Sequence, residues 1–192
     1  MPNDIKSKKL EALFREVVAL LDDDPSREGL KETPKRVAKA WIEWTEGYAQ
    51  DPAKILKTFE DGAYGVDEMV LVKDIPVHSH CEHHMAPIMG VAHVAYIPNG
   101  RIVGLSKLSR LVELYARRLQ VQERLTNQIA DAINEHLSPH GVGVILKCRH
   151  MCIESRGVRH HGTETLTSAL RGSIKNEPEA RAEFLKLCGS SI

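Results

Sequence analysis

The chain has 192 residues, is 42% hydrophobic, and balances 26 basic against 26 acidic side chains for a formal net charge of zero. That length and apolar content suffice to bury a core as one domain, or one domain with a helical extension, and they exclude a disordered chain. Balanced charge argues against a broad nucleic-acid surface and four unevenly spaced cysteines against a secreted disulfide scaffold; with no signal-like or membrane-spanning apolar run, a reducing cytoplasm is the expected location.

Residues 6–21 carry Leu10, Leu13, Phe14, Val17, Val18 and Leu21 at helical spacing and stop at Asp22-Asp23-Asp24-Pro25. Thr33-Pro34 starts a second helix, because proline in the first turn gives up no amide that the helix needs; Val37, Trp41, Trp44 and Tyr48 form its packing stripe. Gly47, Gly62 and Gly65 around Asp51-Pro52 predict a linker holding a short helix. The expected division is an N-terminal helical region and linker over residues 1–65, followed by a second domain over residues 66–192.

Residues 69–77 and 88–97 read as strands, and Pro98-Asn99-Gly100 is a turn after which Arg101, Ile102 and Val103 are expected to run back antiparallel. A long helix begins near Ser106 with Leu108, Leu111, Val112, Tyr115 and Leu119, and a second over residues 122–137 bears Leu125, Ile129, Ile133 and Leu137. Strands follow over residues 141–148 and 163–170, and Asn176-Glu177-Pro178-Glu179 opens a terminal helix. Helices interrupting antiparallel strand pairs define an α+β class, and the exposed edges of so small a sheet favour an oligomer.

Cys81-Glu82-His83-His84 and, far downstream, His150-Met151-Cys152 offer two thiolates and several imidazoles with no obvious fourth protein ligand. Such a set suits zinc with one position left open, the pattern of a hydrolase rather than of a closed structural site. If residues 81–84 form a helical turn, Cys81 and His84 share a face and His83 is left for chemistry. The alternation Val142, Val144, Leu146, Cys148 carries on to His150 and Cys152 if the strand runs that far, and both would then face one pocket. The competing reading is packed thiols with incidental histidines, and it is the one adopted for Cys148 and Cys188. No zinc-finger or zincin spacing is present, so the metal reading depends on the fold joining distant segments.

Ser106-Lys107-Leu108-Ser109-Arg110 sets cations at a helix start, and Arg156, Arg159 and Lys147 add charge around the second motif. A phosphate-bearing substrate explains this concentration; solvated surface charges are the alternative. Neither a phosphate loop nor a dinucleotide fingerprint occurs. Glu123, after Val121-Gln122, suits the paired N–H groups of a guanine edge, or else it caps the helix or pairs with Arg124.

Taken together these residues resemble the GTP cyclohydrolase I family over nearly the whole chain. The resemblance rests on Gly29-Leu30 through Thr33-Pro34-Lys35-Arg36-Val37, Cys81-Glu82-His83-His84, Val94-Ala95-Tyr96-Ile97-Pro98 and Gly104-Leu105-Ser106-Lys107. Val121-Gln122-Glu123-Arg124-Leu125-Thr126, His150-Met151-Cys152, Arg156-Gly157-Val158 and Thr167-Ser168-Ala169-Leu170-Arg171-Gly172 complete it. The family implies a T-fold, conversion of GTP and water to 7,8-dihydroneopterin triphosphate and formate on the way to tetrahydrofolate, and a homodecamer of two pentamers with sites at subunit interfaces. It implies zinc on Cys81, His84 and Cys152, with His83 and His150 for substrate positioning and proton transfer. Gln122 and Glu123 would recognise the guanine ring, and Ser106, Lys107, Arg110 and Arg156 the phosphates, with Lys39 reaching over from another subunit. His78, His80, His160 and His161 are expected on the surface or behind the ligands, and Ile174 stands where relatives often carry an aromatic residue. A T-fold protein that binds a pterin or purine around a structural zinc, without catalysis, is the alternative. Neither reading involves nucleic acid or a membrane.

Overall fold

The structure, a computed structural model, describes residues 3–189. The chain divides into two compact units, residues 1–46 and 47–192.

The smaller unit pairs α1 (Asn3–Leu21) with α2 (Thr33–Trp44). Leu10, Phe14 and Val18, spaced four apart, are half-buried, whereas Leu13, Val17 and Leu21 of the same predicted stripe stay exposed. Between the helices, Arg27 donates to Asp22 at 2.6 Å and Ser26 to Asp24 at 2.6 Å, which closes the polar turn at the predicted stop. Trp41 and Trp44 meet edge to face with centroids 5.3 Å apart. Tyr48 lies beyond α2 and does not extend its stripe; it sits under the Arg118 guanidinium, 5.7 Å from its centroid.

The larger unit runs α3 (Pro52–Ile55), β1 (Thr58–Phe59), β2 (Val70–Cys81), β3 (Pro87–Ile97), β4 (Ile102–Val103), α4 (Leu105–Ala116), β5 (Leu119–Gln120) and α5 (Gln122–Leu137). It continues through β6 (Gly141–His150), α6 (Met151–Glu154), β7 (Glu164–Arg171), α7 (Gly172–Asn176) and α8 (Pro178–Cys188). Five strands form a sheet in the order β5-β2-β3-β6-β7, antiparallel except for the short β2–β5 pair. This is the α+β architecture expected of a T-fold. One detail differs: β4 does not return along β3 but pairs with β1, Thr58 opposite Val103. The Pro98-Asn99-Gly100 turn leads the chain off the sheet, and a two-residue strand finds its ladder where an edge is free.

Alternation along the strands separates two hydrophobic faces. Val77, Ala92, Val94, Val142, Val144 and Leu146 pack with Leu108, Leu111, Leu125, Ile129 and Ile133 of α4 and α5. Ala95 and Ile145, of opposite parity, pack with Ile174, Phe184 and Cys188 of α7 and α8, so the branched side chain at 174 fills a closed interior position. Each such fully buried Leu, Ile or Phe contributes roughly 1.5–3 kcal/mol. Gly90 stands opposite Cys148, where an added Cβ would lie 2.1 Å from the Lys147 carbonyl oxygen, so only glycine lets β3 and β6 approach at the end that leads to the two cysteine motifs.

A bulge in β2 between Val72 and Ile75 puts Asp74 at φ 55, and its amide donates to Nδ1 of His93 at 3.2 Å. His93 is 7% exposed; burial pushes its pKa down, with Lys73 and Lys147 acting the same way and Asp74 opposing. The unfolded chain, whose histidine titrates at about 6.5, therefore binds a proton that the fold resists, and stability falls as pH drops below that value. His93→Gln keeps an acceptor for Asp74 N–H but cannot titrate. Urea midpoints measured from pH 8 to pH 5 should fall less steeply for His93→Gln than for the wild type; equal slopes would contradict the assignment.

Candidate metal centre and active site

Three segments converge at the C-terminal end of β2. The parallel pairing of His80 with Leu119 and Cys81 with Gln120 brings β5, and with it the start of α5, against β2. The register of β3 against β6 sets Ile88 opposite His150 and carries the end of β6 to the same place.

Residues 82–86 connect β2 to β3. Met85 N–H donates to Cys81 O at 2.8 Å, closing a single turn of helical span, and Cys81 N–H donates to Ala86 O at 2.8 Å. Met85 completes the reversal at φ 53. That one turn aligns Cys81 with His84, whose Nδ1 is 3.8 Å from Cys81 Sγ. His83 does not point wholly away: its Nδ1 is 3.7 Å from the same sulfur, although the side chain is largely exposed. Downstream, β6 ends at His150, so strand parity does not reach Cys152; α6 begins there, and one helical turn carries the thiol.

Cys81, His84 and Cys152 bring their three ligand atoms within 4.8 Å of one another. Zinc–sulfur and zinc–nitrogen bonds of about 2.3 and 2.0 Å at tetrahedral angles need ligand separations of about 3.5–3.8 Å, so the Cys81–His84 spacing fits without rearrangement. The electrostatics also favour a cation: burial raises the Cys152 pKa, the neighbouring Cys81 sulfur raises it further, and Arg156 offsets a little. Two thiolates side by side are costly unless a cation is shared. Cys148 is different, since burial alone pushes its thiol up to about 12, and Cys188 reaches about 11 for the same reason. Both fit the packing role expected of them.

A cavity of ≈ 180 Å³ opens beside this cluster, lined by Cys81, His84 and Cys152 together with His83, Gln122, Glu123 and His150. Glu123 is exposed in the first turn of α5, where the helix dipole favours its charge. Arg124 does not pair with it but bonds Glu82. His150 is half-buried; burial lowers its pKa and the Glu123 charge partly restores it. Ser106, Lys107 and Arg110, at the start of α4, do not line this cavity; Arg110 instead lines a second one of ≈ 260 Å³ with His78 and Arg117. Arg156 stands exposed in the loop after α6, close enough for its charge to act on Cys152, and Lys39 is an exposed residue of α2 in the smaller unit.

Two clamps around the cavity went unread in the sequence. Arg124 bonds Glu82 and the Gln120 side-chain oxygen, the latter at 3.1 Å, while Glu82 N–H donates to Gln120 O at 3.0 Å, so the ligand-bearing turn is tied to the start of α5. Arg149 donates to the 4% exposed Glu154, which also accepts from Gly162 N–H, and this pins the loop that carries Arg156. Neither clamp has a local pattern: Arg124 and Glu82 lie 42 positions apart, and Arg149 and Glu154, five apart, meet across the junction of β6 and α6. Of the additional histidines, His78, His160 and His161 are exposed, while His80 is buried and lies outside the three-ligand cluster.

The GTP cyclohydrolase I family model matches residues 10–189. GTP cyclohydrolase 1 of Nitrosospira multiformis is 58% identical over 177 residues, covering 92% of this chain and 93% of the relative. The enzyme of the same name from Deinococcus radiodurans is 54% identical over 176 residues, covering 92% of this chain and 81% of its own. Among solved structures, an apo archaeosine synthase QueF-Like aligns with 54% of this chain and 93% of its own at 21% identity and a TM-score of 0.44, a likeness too slight to carry an argument.

Proposed function

The chain belongs to the GTP cyclohydrolase I family, and from that premise we infer that it converts GTP and water to 7,8-dihydroneopterin triphosphate and formate. The observation that carries the reading at the level of chemistry is the cluster of Cys81, His84 and Cys152 opening onto a cavity that Glu123 and His150 also line.

We assign zinc to those three residues; when bound, it supplies the Lewis acidity that lets water act as a nucleophile near neutral pH. Glu123 accepts the paired N–H groups of the guanine edge and fixes the purine. Gln122 belongs to the same ring-binding turn, with its side chain engaged on His150. His150 passes a proton to the ring nitrogen next to C8 as water adds at that carbon, and His83 supports proton transfer. Ring opening and a second hydrolysis release C8 as formate, and the ribose carbons close the new ring.

Ser106, Lys107, Arg110 and Arg156 neutralise the triphosphate. Because the α4 cations stand apart from the cavity of their own chain, we assign them and Lys39 to sites shared between subunits of a homodecamer. The sheet supports association, since β7 and most of β2 each have one edge without a strand partner among the described residues. No helix among the described residues is long and apolar enough to cross a membrane, and we place the enzyme in the cytoplasm.

Zinc-loaded protein incubated with GTP should yield formate together with a pterin that fluoresces after oxidation. Tight GTP binding with neither product would contradict the activity and favour a purine-binding protein built around a structural metal.

A further inference from the structure

Gln122, the first residue of α5, is 1% exposed, and its carboxamide can point only one way. Its Nε2 lies 2.9 Å from Thr165 O, 3.2 Å from Leu146 O and 3.1 Å from Thr167 Oγ1. Two of these are carbonyl oxygens, which can only accept. The third is made an acceptor by its own neighbours: Thr126 spends its proton on Gln122 O at 2.7 Å, so the 2.6 Å contact between the two threonines must be donated by Thr167. A flipped amide would set its oxygen against two carbonyls. The Gln122 Oε1 is therefore the atom 2.7 Å from His150 Nε2, and it can only accept.

We propose that Gln122 is a positioning residue that holds His150 in its Nε2–H tautomer, making Nδ1 the ring atom through which His150 exchanges a proton with the substrate. The inference rests on the role given above to His150 and specifies it further. Nε2 keeps its proton throughout, committed to a buried acceptor whose own orientation is fixed by β6, β7 and α5. The resting ring carries no proton at Nδ1, so Nδ1 first takes one from the water that adds at C8 and then passes it to the adjacent ring nitrogen, with Nε2–H unchanged.

Magic-angle-spinning NMR of zinc-loaded, sedimented protein labelled with ¹⁵N-histidine reads the tautomer directly, with His150 assigned by the signal lost in His150→Gln. In the wild type, Nε2 should give the protonated-type and Nδ1 the unprotonated-type ring-nitrogen signal; the reverse pattern overturns the proposal without recourse to any positioning variant. Gln122→Met and Gln122→Glu both lose the amide N–H groups that bind β6 and β7, but only Glu keeps an acceptor for Nε2–H. The Met variant should therefore show mixed or exchanged tautomers and lose about 10-fold or more in kcat with little change in KM, while the Glu variant keeps the wild-type tautomer. Identical tautomers in the two variants would reduce Gln122 to a packing role and overturn the proposal. The NMR measurement needs no substrate, so an Nε2–H signal in a protein that fails to turn over GTP would leave the lock standing and overturn the reading of His150 as a proton donor.

Discussion

Cys152→Ser should lose its zinc and its turnover together. Removing residues that merely orient metal ligands costs about 10–100-fold in metal affinity, and replacing a thiolate that binds the metal itself should cost at least about 100-fold. Activity should fall in step with zinc content across a metal titration. Cys148→Ser is the matched control, because that thiol is 1% exposed in the core and its pKa is raised by burial to about 12. The hydroxyl would sit in an apolar interior and destabilise the fold by about 1–3 kcal/mol, with zinc stoichiometry retained. Full zinc occupancy in folded Cys152→Ser would reject the ligand assignment.

Glu123→Gln should separate recognition from metal binding. The side chain keeps its size and its place in the first turn of α5 but loses the charge that accepts two N–H groups from guanine. Charged hydrogen bonds are worth about 1.5–3 kcal/mol, so kcat/KM for GTP should drop roughly 10–150-fold while zinc content stays at the wild-type level. Unchanged turnover, or loss of zinc, would remove Glu123 from the guanine site.

The periodic parts of the fold were legible in the sequence because periodicity is a local signal. The long α5 begins at Gln122 and ends at Leu137 as its apolar spacing predicts, and the alternation from Val142 to Cys148 marks β6, an interior strand of the sheet. Pairing was less legible. Nothing in Ile102-Val103 says that their partner is Thr58-Phe59 rather than the preceding strand, because two residues carry too little pattern to fix a ladder. The candidate ligand trio was readable in part: Cys81 and His84 lie within one turn, whereas Cys152 came with the family resemblance, because β6 ends at His150 and a helical turn, not strand parity, carries its thiol. The surroundings of the trio were not. The Glu82–Arg124 pair spans 42 positions and the His150–Gln122 bond 28, and both depend on the meeting of β2, β5 and α5 at one end of the sheet. The residues proposed for the phosphates show the same limit from the other side, since Ser106, Lys107 and Arg110 look contiguous with the site in composition yet do not line the cavity in the chain's own fold.

Hydrolytic opening of the purine with loss of C8 can be followed with [8-¹³C]GTP and zinc-loaded protein by ¹³C NMR. The label should leave the purine signal and appear in formate, one formate for each dihydroneopterin triphosphate formed. A purine C8 signal that persists while GTP is bound, with no labelled formate at any zinc loading, would contradict it.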